Sequence, residues 1–252
     1  MSGLFLYLTM AKRRKKKSTR RITTFLFVLF FGMSAFFIYL HYFNNKVKPV
    51  VISELPGLPE GFVCYGIDIS HHQGKVDWDA FFNNSDSTIR FIYCKVTEGE
   101  SLKDREWKNN HARLSQEKIP HGGYHFFRPS VSAVAQANHF LREYDYSKTS
   151  LPPVLDVEVD AQSDAILIEN MKVWLNLVER ATGKRPVIYT SYSFYSKKFK
   201  EHFSNYKFWV ANYSDHAHRF RDERIIHWQF SETGTIPGIK GFVDLNYSKI
   251  NF

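Results

Sequence analysis

Cysteine is scarce in this chain: among 252 residues only Cys64 and Cys94 occur, too few for the disulfide framework of a small secreted scaffold. Both fall in apolar runs that read as strands of one parallel sheet, where a cross-strand bond needs unusual geometry, so two buried thiols are expected. No glycine-rich loop follows a strand candidate, which argues against a nucleotide-phosphate cradle. His71, His72, His121 and His125 stand at no metal-ligand spacing such as H-E-x-x-H and read as structural or hydrogen-bonding groups. Neither a metal nor a cofactor is expected. Outside one basic cluster the chain holds no repeat and no low-complexity segment.

Acidic residues are missing from positions 1–21, which carry eight of the 34 lysines and arginines: Lys12, Arg13, Arg14, Lys15, Lys16, Lys17, Arg20 and Arg21. The formal charge of +9 is therefore local. The rest of the chain has 26 basic against 25 acidic residues and gives no support to nucleic-acid binding. Charge of either sign is missing from the next 22 residues, Ile22–Phe43. As a helix they extend about 33 Å, enough for a hydrocarbon core of about 30 Å. The expectation is a signal anchor through the lipid bilayer, with the basic flank cytoplasmic and the remainder outside, periplasmic or at the cell surface. The run is longer than an ordinary signal-peptide core, and no A-x-A site follows it. Met10 is an alternative start. Residues 44–62, polar and dotted with proline, read as a linker.

Residues 63–252 suffice for one well-buried domain of α/β-barrel size. Apolar strand candidates are 65–69, 91–96, 123–127, 154–157, 187–189, 208–211, 225–229 and 241–245. Helix-length stretches at 77–82, 104–117, 132–144 and 164–182 separate the earlier ones. Strands alternating with helices imply a parallel sheet. Beyond Thr190 the spacing shortens, so the reading is an irregular TIM-like barrel with five β/α units followed by three strands.

Pro153-Val154-Leu155-Asp156-Val157-Glu158 is a short apolar run ending in two acids two residues apart. In a strand both point to one face, about 6.5–7 Å apart along the backbone. The C-terminal ends of barrel strands are where such a fold places its chemistry, and paired carboxyl groups are the equipment of glycoside hydrolysis. Other strand candidates end in Asp68, in Thr97-Glu98, in Tyr124, in Tyr189, in Trp209 with Asn212, in Trp228-Gln229 and in Asp244 with Asn246. If the strands share one barrel, acids and aromatic rings gather on one face, where rings stack on sugars and polar groups grip hydroxyls. A bland reading stands beside this for Asp68 and Asp244, which could simply hold neighbouring groups by hydrogen bonds.

GIDISHHQGKVDW, FIYCKVTEG, GGYHFFRP, PPVLDVE, FWVANY and WQFSETGTIPGIKGFVDLN, taken in order, resemble the motifs of glycoside hydrolase family 25, the Chalaropsis-type and phage-endolysin-like lysozymes. The likeness runs from about Gly66 to Asn246. It implies an irregular barrel and cleavage of the β-1,4 bond between N-acetylmuramic acid and N-acetylglucosamine in peptidoglycan. It implies Glu158 as general acid/base and Asp156 as its partner, with Asp68 and Asp244 as further catalytic acids. Tyr124, Trp209 and Gln229 match groove residues of the family, and Tyr189 and Trp228 join them as expected substrate contacts. The family's cell-wall-binding repeats are missing, a role the anchor could fill.

In this reading Glu158 protonates the glycosidic oxygen while Asp156 orients the substrate's own acetamido group for attack. The alternative makes Asp156 or Asp68 a nucleophile or base. Two other functions compete: a non-catalytic, membrane-tethered glycan-binding module, and a chitinase-like hydrolase of N-acetylglucosamine polymers. Retention of both acids speaks against the first, and the lack of a D-x-x-D-x-D-x-E pattern against the second. A monomer is expected.

Overall fold

The computed structural model describes residues 49–84, 88–214 and 220–252. The basic cluster, the run 22–43 expected to span the bilayer, and the start of the linker lie outside the described residues. Among the described residues no helix is long and apolar enough to cross a membrane.

Ten strands form: Val50–Val51 (β1), Cys64–Ile69 (β2), Ile89–Glu98 (β3), Leu102–Lys103 (β4), His121–Phe126 (β5), Val154–Asp156 (β6), Val187–Ser191 (β7), Phe208–Ala211 (β8), Ile225–Thr235 (β9) and Val243–Ser248 (β10). Eight of them close a barrel in the order β2-β3-β5-β6-β7-β8-β9-β10, with β10 pairing back to β2. All eight strand candidates are present, with ends shifted by a few residues. The sheet is parallel from β2 round to β9, but β10 is antiparallel to both neighbours. The parallel arrangement ends there for a physical reason. Only residues 236–242 join β9 to β10, too few for the crossover that a parallel partner requires.

Helices Trp78–Asn84 (α1), Trp107–Gln116 (α2), Ala133–Glu143 (α3) and Asp164–Thr182 (α4) follow β2, β3, β5 and β6. A short helix Tyr192–Phe194 and a π-helical turn Tyr195–Phe199 follow β7, completing five β/α units before the last three strands. The longest helix shows why the sequence folds this way. Ser163 caps α4 by accepting the Ile166 N–H, a preferred N-cap interaction. Its buried residues Leu167, Met171, Trp174, Leu175 and Val178 recur at helical spacing and pack on the barrel.

Along the barrel strands every second side chain turns inward. Ile92, Leu155, Ile188 and Val210 face the shell beneath the helices. Phe91, Tyr93, Val154, Val187, Tyr189 and Trp209 form a separate interior cluster. Rings fill the lower barrel: Phe91 stacks on His227 at 4.8 Å, and Trp209 meets Tyr93 at 5.1 Å and Tyr189 at 4.8 Å. Two glycines admit these rings. A Cβ on Gly66 would lie 2.3 Å from the Phe91 ring, and one on Gly122 2.4 Å from Tyr93. Cys64 belongs to the interior cluster and Cys94 to the shell. They therefore face opposite sides of the sheet, and both are free and buried, as expected.

The second half of the linker lies on the barrel wall. Val50–Val51 pairs with the end of β9, and Phe62 packs against Trp228 and Tyr247 at 5.9 and 5.8 Å.

Candidate active site

Above the rings that fill the lower barrel, the interior opens at the C-terminal ends of the parallel strands. There a pocket of about 280 Å³ is lined by Asp68, Asp156, Glu158 and Asp244 together with Tyr124, Tyr189, Trp209 and Gln229. Eight of the nine site residues expected from sequence thus meet in one place. Inward alternation accounts for it: Asp68, Tyr124, Asp156, Tyr189, Trp209 and Asp244 all share the parity of the interior faces.

Trp228 does not join them. It is one residue out of phase with Gln229, so its ring turns into the shell, stacks on Phe220 at 4.2 Å and donates Nε1–H to the Asn212 carbonyl at 2.7 Å. Its expected place among the substrate contacts is corrected to a core position that anchors the loop after β8. Trp209 lines the pocket but is only 1% exposed. Its Nε1–H donates to Asn246 Oδ1 at 2.7 Å, which makes it a floor rather than a stacking face. Gln229 is occupied at both ends: Oε1 accepts from Tyr189 at 2.9 Å and Tyr213 at 2.8 Å, and Nε2 donates to Asp68 at 3.1 Å.

The acids form two pairs. Asp68 Oδ2 accepts from Gln229 and from Asn246 Nδ2 at 2.8 Å, and its carboxyl is hydrogen-bonded to that of Asp244. Burial pushes Asp68 up to about 6. Burial and then the Asp68 charge push Asp244 up to about 9, so this pair holds a proton at neutral pH. Asp156 and Glu158 form the second pair, again carboxyl to carboxyl, and both are raised, first by burial. The Glu158 charge adds to the rise at Asp156. Burial and the neighbouring like charge both favour the neutral carboxyl, so each of the two holds its proton to higher pH than a free acid does. Among the described residues no donor reaches the buried Asp156 Oδ1, which leaves an acceptor for a substrate N–H or O–H.

Several pocket residues escaped the sequence reading. Lys95 is 5% exposed, donates to Glu98 Oε2 at 2.6 Å and tempers the rise at both Asp156 and Glu158. The parity of Phe91, Tyr93 and Lys95 would have found it. Glu98 is bound also by Arg128 Nε at 2.9 Å, and Phe126 lies under both cations, 5.0 Å from Lys95 and 4.6 Å from Arg128. Tyr213 and Glu232 line the mouth, and Tyr213 stays 53% exposed, free to lie along a sugar face.

A closed α/β barrel with four acids in a tyrosine-lined pocket at its C-terminal rim has the equipment of a glycoside hydrolase. The chain belongs to glycosyl hydrolases family 25, whose family model matches residues 67–239. It is 36% identical over 212 residues to the uncharacterized protein YegX of Escherichia coli K12, covering 82% of this chain and 76% of that one. Lysozyme M1 of Streptomyces globisporus is 30% identical over 197 residues, 72% of this chain and 66% of its own. The bacterial lysozyme of Streptomyces coelicolor superposes with a TM-score of 0.63 at 29% identity, over 73% of this chain and 91% of that one. A family 25 glycosyl hydrolase from Bacillus anthracis shares the fold, with a TM-score of 0.69 at 21% identity over 82% and 95% of the two chains.

Proposed function

We propose that the chain is a membrane-tethered lysozyme of the N-acetylmuramidase kind. It hydrolyses the β-1,4 bond between N-acetylmuramic acid and N-acetylglucosamine in peptidoglycan. The observation that carries this is the Asp156–Glu158 pair, two acids that line one pocket and are both raised by burial, with an unpartnered buried oxygen on Asp156. The family's lysozymes give the substrate class.

Glu158, exposed at the pocket while Asp156 is buried, delivers its proton to the glycosidic oxygen as the bond to the anomeric carbon breaks. The geometry bears on the nucleophile. Asp156 and Glu158 leave the end of one strand side by side, so Asp156 is assigned a positioning role rather than attack from the opposite face. Its open Oδ1 accepts the N–H of the substrate's 2-acetamido group, whose carbonyl oxygen attacks the anomeric carbon. Water then opens the resulting ring, giving its proton to Glu158. Lys95 stabilises the negative charge left on the pair between the two steps.

The anchor part of the proposal rests on sequence: 22 uncharged residues after a basic flank. It puts the N-terminus in the cytoplasm and the barrel outside, with the enzyme acting as a monomer. The test incubates the protein with purified peptidoglycan, reduces the released fragments with borohydride and identifies the new ends by mass spectrometry. Muramitol ends are expected; glucosaminitol ends, or none, refute the bond assignment. Cell fractionation should place the full chain in the membrane, and a chain lacking residues 22–43 outside it. Finding the full chain in the cytosol overturns the anchor.

A further inference from the structure

Away from the pocket, a polar groove of about 790 Å³ runs between α1, α2 and the loop joining β9 to β10. Asn110 on α2 lines it and is only 2% exposed. Among the described residues its side-chain amide has no hydrogen-bond partner; its bonds are those of the helix backbone. An amide that makes no bond within the protein and lines a groove is a place where a ligand can supply one.

The other lining groups divide into engaged and unengaged. Arg113 is held by Asp79 at 2.7 Å and Glu117 at 3.0 Å, and Asp77 caps α1 through the Ala80 N–H at 3.0 Å. Lys75, Lys240 and Gln116 also line the groove, and among the described residues their side chains form no ion pair or hydrogen bond. Beside the carboxylates of Asp77 and Asp79, already bonded within the protein, the groove presents two unpaired ammonium groups and two amides. Its one large ring, Trp78, is 7% exposed and packed against Phe81 and Phe82, so no aromatic face is open to a sugar.

The groove adjoins the pocket through shared loops. The segment after β2 gives Ser70, His72 and Gln73 to the pocket and Lys75 to the groove. It is pinned to the β9–β10 loop by Gln73 Nε2 donating to the Phe242 carbonyl at 3.0 Å, and by the Asp77 N–H donating to the Gly238 carbonyl at 2.8 Å. We propose that this groove is a second binding site, built for a carboxylate-bearing peptide chain, which holds the peptide stems of the peptidoglycan whose glycan occupies the pocket. The ammonium groups of Lys75 and Lys240 pair with stem carboxylates, while Asn110 and Gln116 pair with peptide N–H and C=O groups. The identity of that peptide rests on the muramidase reading given above.

The test uses the full chain in detergent, the Lys75→Met, Lys240→Met double variant, and Asn110→Leu. Two substrates are compared: intact peptidoglycan, and the same glycan stripped of its stems by an amidase. The double variant should raise KM about tenfold on the intact wall with kcat unchanged, and leave both constants unaltered on stripped glycan. Its excess KM should shrink at high salt. Asn110→Leu should weaken the intact substrate in the same selective way while melting at or above the wild-type temperature, since it removes an unpaired amide. Equal effects on both substrates would mean that the groove holds glycan, and no effect that it holds nothing; either overturns the proposal. A second readout is independent of turnover: the stem peptides freed by the amidase are titrated onto the protein and followed by NMR. Binding lost in the double variant upholds the groove even if no glycan is cut, which would instead sink the muramidase reading. No binding by the wild type overturns the groove.

Discussion

Glu158→Gln should lower the turnover of peptidoglycan by about 10²–10⁴-fold, the range that a positioned general acid contributes, and leave the fold intact. Glutamine matches glutamate in shape and can donate to Asp156, so packing is kept while the transferable proton is lost. Both acids are already held toward the neutral form by burial, and a neutral amide keeps that state, so the melting temperature should hold. Circular dichroism melts and kcat on purified peptidoglycan check both halves. A variant that turns over like wild type removes Glu158 from the acid role. Leaving-group dependence separates the two acids. An aryl glycoside of the same sugar leaves without a proton, so Glu158→Gln should recover much of its loss on that substrate. Asp156→Asn should recover little, because the acetamido group it orients is needed whatever the leaving group.

How much of this site could be read beforehand follows from which physical rule placed each residue. Strand alternation is strictly local, and it was enough to bring Asp68, Tyr124, Asp156, Tyr189 and Asp244 to one face once their strands were recognised. The same rule, applied one residue out of phase, misplaced Trp228. An aromatic residue next to a polar one at a strand end gives no sign of which of the two turns inward. Trp209 and Gln229 were placed correctly but not their function: whether a side chain touches substrate or supports its neighbours depends on partners such as Asn246 and Tyr213, which come from other strands and loops. The antiparallel β10 depended on a loop length that could be counted, yet alternation with helices earlier in the chain outweighed it. The two-by-two pairing of the acids is wholly tertiary. Asp244 lies opposite Asp68 through the β10–β2 register, a contact between the first and last strands of the barrel that no local pattern encodes.

That pairing has a consequence for stability. A carboxyl group raised in the folded protein binds its proton more tightly there than in the unfolded chain. The stabilisation is complete below the ordinary carboxylate pKa of about 4 and is lost as pH rises through the folded value, at about 1.4 kcal/mol per pH unit for each retained proton. For Asp68, raised to about 6, and Asp244, raised to about 9, the loss runs from about pH 4 to about pH 9. Buried neutral histidines act in the opposite sense. His125 and His227, both pushed down to about 3 by burial, remove stability as pH falls below about 6.5. Above pH 7 they are silent, and the carboxyl pairs alone set the slope among these groups. Asp244→Asn isolates one member. The asparagine amide can still donate to Asp68 as the protonated acid does, but it has no proton to lose. In urea unfolding the variant should match the wild type at about pH 4 and exceed it increasingly from there to pH 9. A wild type that gains stability between pH 7 and pH 9, or a variant that falls in parallel with it, would mean that the Asp68–Asp244 pair holds no proton in the native protein.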